Sequence, residues 1–223
     1  DRNFDGKVSR TKERPLVTGA IKSKEALTLF ICLCACGGGL ILLLNQLTQL
    51  LALFAIFVIV LYPFCKRWTY LPQLILGVAF SWGIPMAWAA SAGKLTATAA
   101  IFFCSCLVWI VAYDTLYAVV DKKDDIKVGI KSSALLFGDW TNQIVGALQL
   151  TTLGGFFFLG LELGFQNFFY LGLLGCATSF AFQQKLIFKG KEKDYFRAFL
   201  NNNWAGLSLF IGTALETQKW TIF

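Results

Sequence analysis

Carboxylates recur at helical spacing in an otherwise oily chain. The first group is Asp1 and Asp5, within Asp1-Arg2-Asn3-Phe4-Asp5. The second is Asp114, Asp121 and Asp125, in a stretch that opens Tyr113-Asp114-Thr115-Leu116-Tyr117. Residues four apart on a helix are neighbours, so Asp1 and Asp5 face the same way. At 100° per residue, Asp114, Asp121 and Asp125 project within about 40° of one another, with Tyr117 beside them. One helix through all three makes an acidic stripe. Adjacent carboxylates repel, and Asp114 closes an apolar run, where an ionised group costs roughly 2.5–3.5 kcal/mol at a membrane helix centre. A divalent cation resolves both problems. Mg²⁺ prefers oxygen ligands and bridges one or two carboxylates to substrate phosphates. Two such stripes facing each other would hold a diphosphate, with cations completing the site. Arg14 follows the first group, Lys66 and Arg67 end an apolar span, and Lys127 and Lys131 follow the second group.

A plainer reading has the acids solvating a charged loop and pairing with its lysines. It is preferred for Asp124, Asp139 and Asp194. For Asp1, Asp5, Asp114, Asp121 and Asp125 the spacing leaves both readings open. Tyr117 alone also suits an interfacial aromatic.

The elements that must position these groups are membrane helices. The 223 residues are 57% hydrophobic with mean hydropathy +0.62, and the apolar residues come in long blocks. A bilayer core needs about 20 such residues per helix. Blocks 26–44, 47–64, 71–90, 95–120, 144–161, 165–188 and 198–215 come close, giving seven candidate spans. None alternates apolar with polar as a lipid-facing β-strand does. The expected fold is therefore all-α, a polytopic transmembrane helical bundle. Pro85 and Gly37-Gly38-Gly39 are expected to kink helices or let them pack closely, and Gly160-x-x-x-Gly164 is a weak packing signal.

Net charge is +7, but its distribution argues against nucleic acid as a partner. Eighteen of the 20 Lys and Arg residues fall in four clusters, 2–24, 66–67, 122–131 and 185–197, on alternate loops; only Lys94 and Lys219 lie opposite. That asymmetry places the clusters on the cytoplasmic face or its organellar equivalent. Eleven of the 13 acids share this face, all but Glu162 and Glu216. The seven cysteines sit in or beside apolar spans, there is no histidine, and Cys32-x-Cys34-x-Cys36 is no zinc spacing. They are expected to be buried, inert thiols.

The residues 1–16, with Asp1-Arg2-Asn3-Phe4-Asp5-Gly6-Lys7, Arg10-Thr11 and Arg14-Pro15-Leu16, resemble the end of the first aspartate-rich motif of the UbiA superfamily. Residues 113–125 resemble its second motif, and 121–138 resemble the 4-hydroxybenzoate branch in particular. Tyr62-Pro63-Phe64-Cys65-Lys66-Arg67 and Asn201-Asn202-Asn203-Trp204-Ala205-Gly206 add to the likeness. The resemblance implies a nine-helix intramembrane prenyltransferase, so residues 1–223 are expected to be a single domain lacking its first two helices. It implies transfer of a polyprenyl group from its diphosphate to an aromatic carbon of 4-hydroxybenzoate, in ubiquinone biosynthesis, with Mg²⁺ as cofactor. By resemblance, Asp1, Asp5, Asp121 and Asp125 hold metal. Arg14, Lys66, Arg67 and Lys127 bind diphosphate. Asp114 and Tyr117 lie at the reacting centre. The implied location is the bacterial inner membrane with the site facing the cytoplasm, or the mitochondrial inner membrane.

Other classes are weighed against this one. A sibling enzyme would use another aromatic acceptor. A cation-coupled transporter would place acids at the midplane of several spans, whereas only Asp114 is even partly inside one. A CDP-alcohol phosphotransferase would need a signature that is absent.

Overall fold

The computed structural model describes Gly6 and residues 11–218. Among them there is no strand. A short helix α1 (Pro15–Thr18) precedes α2 (Ser23–Leu42), α3 (Gln46–Trp68), α4 (Pro72–Ser81), α5 (Gly83–Ala92) and α6 (Ala97–Val128). After a short α7 (Ser133–Phe137) and a 3₁₀ turn come α8 (Thr141–Glu162), α9 (Asn167–Ile187) and α10 (Glu192–Gln218).

All seven expected spans are helical, with α4 and α5 sharing one. Among the described residues, five segments are long and apolar enough to cross a membrane: Ser23–Leu42, Gln46–Cys65, Pro72–Ala92, Ala97–Lys127 and Ser133–Glu162. α9 and α10 are long enough but more polar, and their Gln183, Gln184 and Asn201 side chains bond inside the bundle. The Gln149 amide donates to Gln183 Oε1 at 2.6 Å, the Gln184 amide donates to Gln149 Oε1 at 2.8 Å, and the Gln183 amide donates to Asn201 Oδ1 at 3.2 Å. In lipid such groups must find internal partners.

Local chemistry sets the ends. The Asn45 side chain caps α3 by accepting the Thr48 N–H at 3.0 Å, and Thr96 caps α6 by accepting that of Ala99 at 3.3 Å. Gly129, at φ 73°, stops α6 with a left-handed residue. Pro85 interrupts its span as expected, splitting it into α4 and α5 at Trp82.

Side-chain contacts show which ends lie together. The Asn45 amide donates to Ala89 O at 2.6 Å, joining the α2–α3 turn to the end of α5. At the opposite end, Lys131 donates to Trp68 O at 3.4 Å and lies 5.0 Å over the Tyr70 ring. There too, Lys123 pairs with Glu192 at 3.4 Å. The charged clusters at 66–67, 122–131 and 185–197 therefore share one end of the bundle.

Two sequence expectations need correcting. Gly37-Gly38-Gly39 makes no close approach: a Cβ there would meet nothing within 4 Å, and α2 has no buried residue. The tight crossing is between α9 and α10, where a Cβ on Gly172 would lie 2.6 Å from Ser208 O and 2.9 Å from Gly212 Cα. Nor are the cysteines all buried. Cys65 and Cys176 are, but Cys32, Cys34, Cys36 and Cys104 are exposed on helix faces, because burial in a bilayer is not burial in protein.

Candidate active site

α6 carries the centre of the site. Its 32 residues run unbroken from Ala97 to Val128, about 48 Å at 1.5 Å per residue. That exceeds a hydrocarbon core of about 30 Å, so one helix carries the stripe out of the membrane. Asp114, Tyr117, Asp121 and Asp125 are all half-buried along it. Asp114 stands seven residues deeper than Asp121, roughly 10 Å along the axis.

The back of α6 is pinned. Thr115, fully buried, donates to Val111 O at 2.7 Å and lies 2.8 Å from Ser133 Oγ. The Ser133 N–H donates to Gln73 Oε1 at 3.0 Å. This relay ties α4 and α7 to α6 behind the stripe. Ala112 and Leu116, each 0% exposed, pack against Val145, Ile187 and Ala198. The helix therefore cannot rotate the stripe away without breaking a buried core.

The other expected site residues fall variously. Asp1 and Asp5 lie outside the described residues, as does the side chain of Lys66. Arg67 is exposed at the end of α3 and Arg14 is exposed at the N-cap of α1. Lys127 turns its Nζ to Asp124 Oδ1 at 3.1 Å, as the plainer reading of Asp124 expected. Asp139 is exposed. Asp194 departs from that reading: it is buried at the start of α10, with Arg197 3.7 Å away.

Sequence reasoning named Tyr62 only as part of a resemblance. The structure places its hydroxyl on α3 within electrostatic reach of Asp114 and Tyr117. Asn202 is a second addition. Its Oδ1 accepts the Trp109 indole N–H at 2.9 Å, and its amide donates to Ala198 O and Phe199 O. Trp109 is thereby held edge-on to Phe156 and Phe180. The signal was present: asparagines in an apolar span seek internal partners, as Asn201 and Asn202 do.

Beneath the stripe the wall turns apolar. Phe199 lies 5.0 Å from Tyr117 and 5.9 Å from Tyr113, centroid to centroid. Tyr113 and Phe199 then line a cavity of about 470 Å³ between α4, α5, α6 and α10. Cys106 and Trp109 separate it from a second cavity of about 400 Å³, walled by Phe156, Leu159 and Phe169 among others. Trp88 and Phe102 lead on to a third, about 510 Å³. The acidic stripe at the charged end thus forms a mouth that meets, through Tyr117, Tyr113 and Phe199, a descending series of largely apolar spaces.

Such a site belongs to a membrane-embedded helical bundle built to bring a charged group and an oily chain together at one interface. The chain belongs to the UbiA prenyltransferase family, whose sequence profile matches residues 1–208. It is 48% identical over 216 residues to the 4-hydroxybenzoate octaprenyltransferase of Alkalilimnicola ehrlichii, covering 97% of this chain and 74% of that protein. The same-named protein of Azotobacter vinelandii is 49% identical over 216 residues, covering 97% and 73%. Among solved structures, the apo UbiA homolog of Aeropyrum pernix K1 superposes with a TM-score of 0.85 at 22% identity, covering 97% of this chain and 81% of that one. A digeranylgeranylglyceryl phosphate synthase superposes at 0.66 with 18% identity, covering 95% and 78%. Both confirm the helical fold.

Proposed function

We propose that this chain transfers a polyprenyl group from polyprenyl diphosphate to the carbon ortho to the hydroxyl of 4-hydroxybenzoate, a step of ubiquinone biosynthesis. The observation that carries the reading is the half-buried stripe of Asp114, Tyr117, Asp121 and Asp125 standing over apolar cavities. The acceptor follows from the relatives, whose name specifies it.

The donor set suits Mg²⁺. Among the described residues no three acids cluster as a metal cage. Mg²⁺ does not need one, since it is typically held by one or two carboxylates plus substrate phosphates. Asp121 and Asp125 would supply the carboxylates from α6, and Asp1 and Asp5 would supply others from the first motif. When bound, the metal would neutralise charge growing on the departing diphosphate.

The chain's own groups do the rest. Arg14, Lys66, Arg67 and Lys127 supply positive charge for the diphosphate. Loss of diphosphate leaves an allylic cation, which a dry cavity protects from water and aromatic faces stabilise. Tyr117, Tyr113 and Phe199 form an aromatic wall beside the stripe. The acceptor's phenol activates its ortho carbon for attack. Asp114 orients that phenol and takes the proton released as the ring regains aromaticity, with Tyr62 and Tyr117 beside it. The reading places one prenyltransferase domain in a bacterial inner membrane, with its charged end in the cytoplasm.

The test uses membranes carrying the full-length protein, given 4-hydroxybenzoate and a polyprenyl diphosphate. Prenylated 4-hydroxybenzoate should form, vanish with excess chelator and return with Mg²⁺. Full activity in chelator would sink the diphosphate clamp. Product only with another aromatic would sink the acceptor.

A further inference from the structure

In a membrane bundle the default for a buried hydroxyl is to bond back to the carbonyl four residues earlier. The buried Ser105, Thr115 and Thr152 all do so, at 2.7–2.9 Å. Ser81 does not. It is 2% exposed, its Oγ has no partner, and it lines the cavity beneath Tyr113. Pro85, four residues on, has no N–H to give the Ser81 carbonyl.

The indoles show the same contrast. Trp82 donates to Leu51 O at 2.9 Å and Trp109 donates to Asn202 at 2.9 Å. The buried Trp88 N–H has no partner, and its side chain lines both deeper cavities. A buried donor left unmade costs about 1–3 kcal/mol, so an orphan of this kind calls for an explanation. Water is a poor one at Trp88, since it needs two to four polar partners. The side chains of the neighbouring walls offer Thr213, whose proton is committed to Leu209 O, the weakly polar Cys106 thiol and the exposed Ser91.

Ser81 ends α4 and Ile84 and Trp88 lie on α5; Ile84 borders the cavity of Ser81 and one of those of Trp88, which puts the three along one series of spaces. Ser81 and Trp88 are roughly 10 Å apart along the α4–α5 span. All three line the cavity series. A ligand in these spaces must be oily enough for the walls yet able to accept hydrogen bonds. An olefinic hydrocarbon is both, because a π cloud accepts N–H and O–H donors weakly. We propose that Ser81 and Trp88 form a donor rail that selects an unsaturated isoprenoid tail over a saturated one. Their O–H and N–H meet different double bonds of one chain. The proposal rests on the reading that the donor substrate is a polyprenyl diphosphate.

The experiment compares two diphosphates of equal length in the full-length protein. One is unsaturated in every unit; the other keeps only the allylic double bond. Their kcat/KM ratio is measured with 4-hydroxybenzoate, and their affinity ratio by competition binding without acceptor. The native protein should favour the unsaturated donor. Trp88→Phe and Ser81→Ala should each shrink both ratios roughly two- to fivefold. A ratio cancels any loss of folded protein, and Ser81→Ala guards against a disruptive indole replacement. Unchanged ratios in both variants, or no preference in the native protein, would overturn the rail. Shrinking affinity ratios without turnover of 4-hydroxybenzoate would support the rail and overturn the acceptor. Absence of donor binding would overturn both.

Discussion

Acids at opposite ends of the bundle show two ways of keeping a carboxylate in a membrane protein. Glu216, 2% exposed, accepts the N–H groups of Phe168 at 3.0 Å and Phe169 at 3.3 Å, capping α9 from the end of α10. Its charge meets the positive end of a helix and two otherwise orphaned donors. The α6 acids are only half-buried, on the helix whose Tyr113 lines the first cavity. A carboxylate that serves the fold is sealed inside it. One that serves chemistry is held at the border, reachable by a ligand. The comparison predicts that loss of the first costs stability and loss of the second costs activity.

The largest expected effect is at Asp121. Asp121→Asn should lower kcat/KM by about 10²–10³, the scale for removing one group that stabilises a developing charge, with the thermal midpoint in detergent unchanged. Raised Mg²⁺ should recover part of the loss. Asp114→Asn should lower kcat with the Mg²⁺ requirement unaltered, as expected for an interaction made mainly in the transition state. Equal rescue of the two variants by Mg²⁺ would make Asp114 a metal ligand and erase the division along α6.

Glu216→Leu should do the opposite. It strands two backbone donors and should destabilise the fold by about 1–3 kcal/mol, while turnover per folded molecule holds. A large drop in specific activity with normal stability would break the contrast between the two ends.

The difference also explains what was legible in the sequence. Asp114, Asp121 and Asp125 were legible because helical periodicity is local, and α6 bears out the stripe by running unbroken past Asp125. The seven segments were legible because apolar length is local too. Glu216 was not: its partners, Phe168 and Phe169, lie 48 and 47 residues away, and no spacing announces them. The glycine triplet of α2 looked like a packing surface, but the tight crossing uses Gly172 and Gly212, 40 residues apart in sequence and on different helices. Tyr62 lies within electrostatic reach of Asp114 from another helix, which the motif alone could not place.

The smallest expected effect is at Lys127, where the comparison narrows to one side chain. Its Nζ lies 3.1 Å from Asp124, and the side chain is 73% exposed. Such surface pairs contribute about 0–1 kcal/mol, so Lys127→Ala should leave folding stability nearly unchanged. The proposed diphosphate role acts at longer range, as one charge among several that steer a polyanion to the mouth. The donor KM should then rise roughly threefold at low salt, with the difference fading as salt screens over about 8–10 Å. A lysine touching the diphosphate inside the site would behave otherwise. Its removal would raise KM more than tenfold, on the order of 1.4 kcal/mol, and salt would hardly soften the loss. Measuring donor KM for the native protein and Lys127→Ala across a salt series separates the two. A large, salt-insensitive defect would move Lys127 into the site and require it to leave Asp124 when the diphosphate arrives.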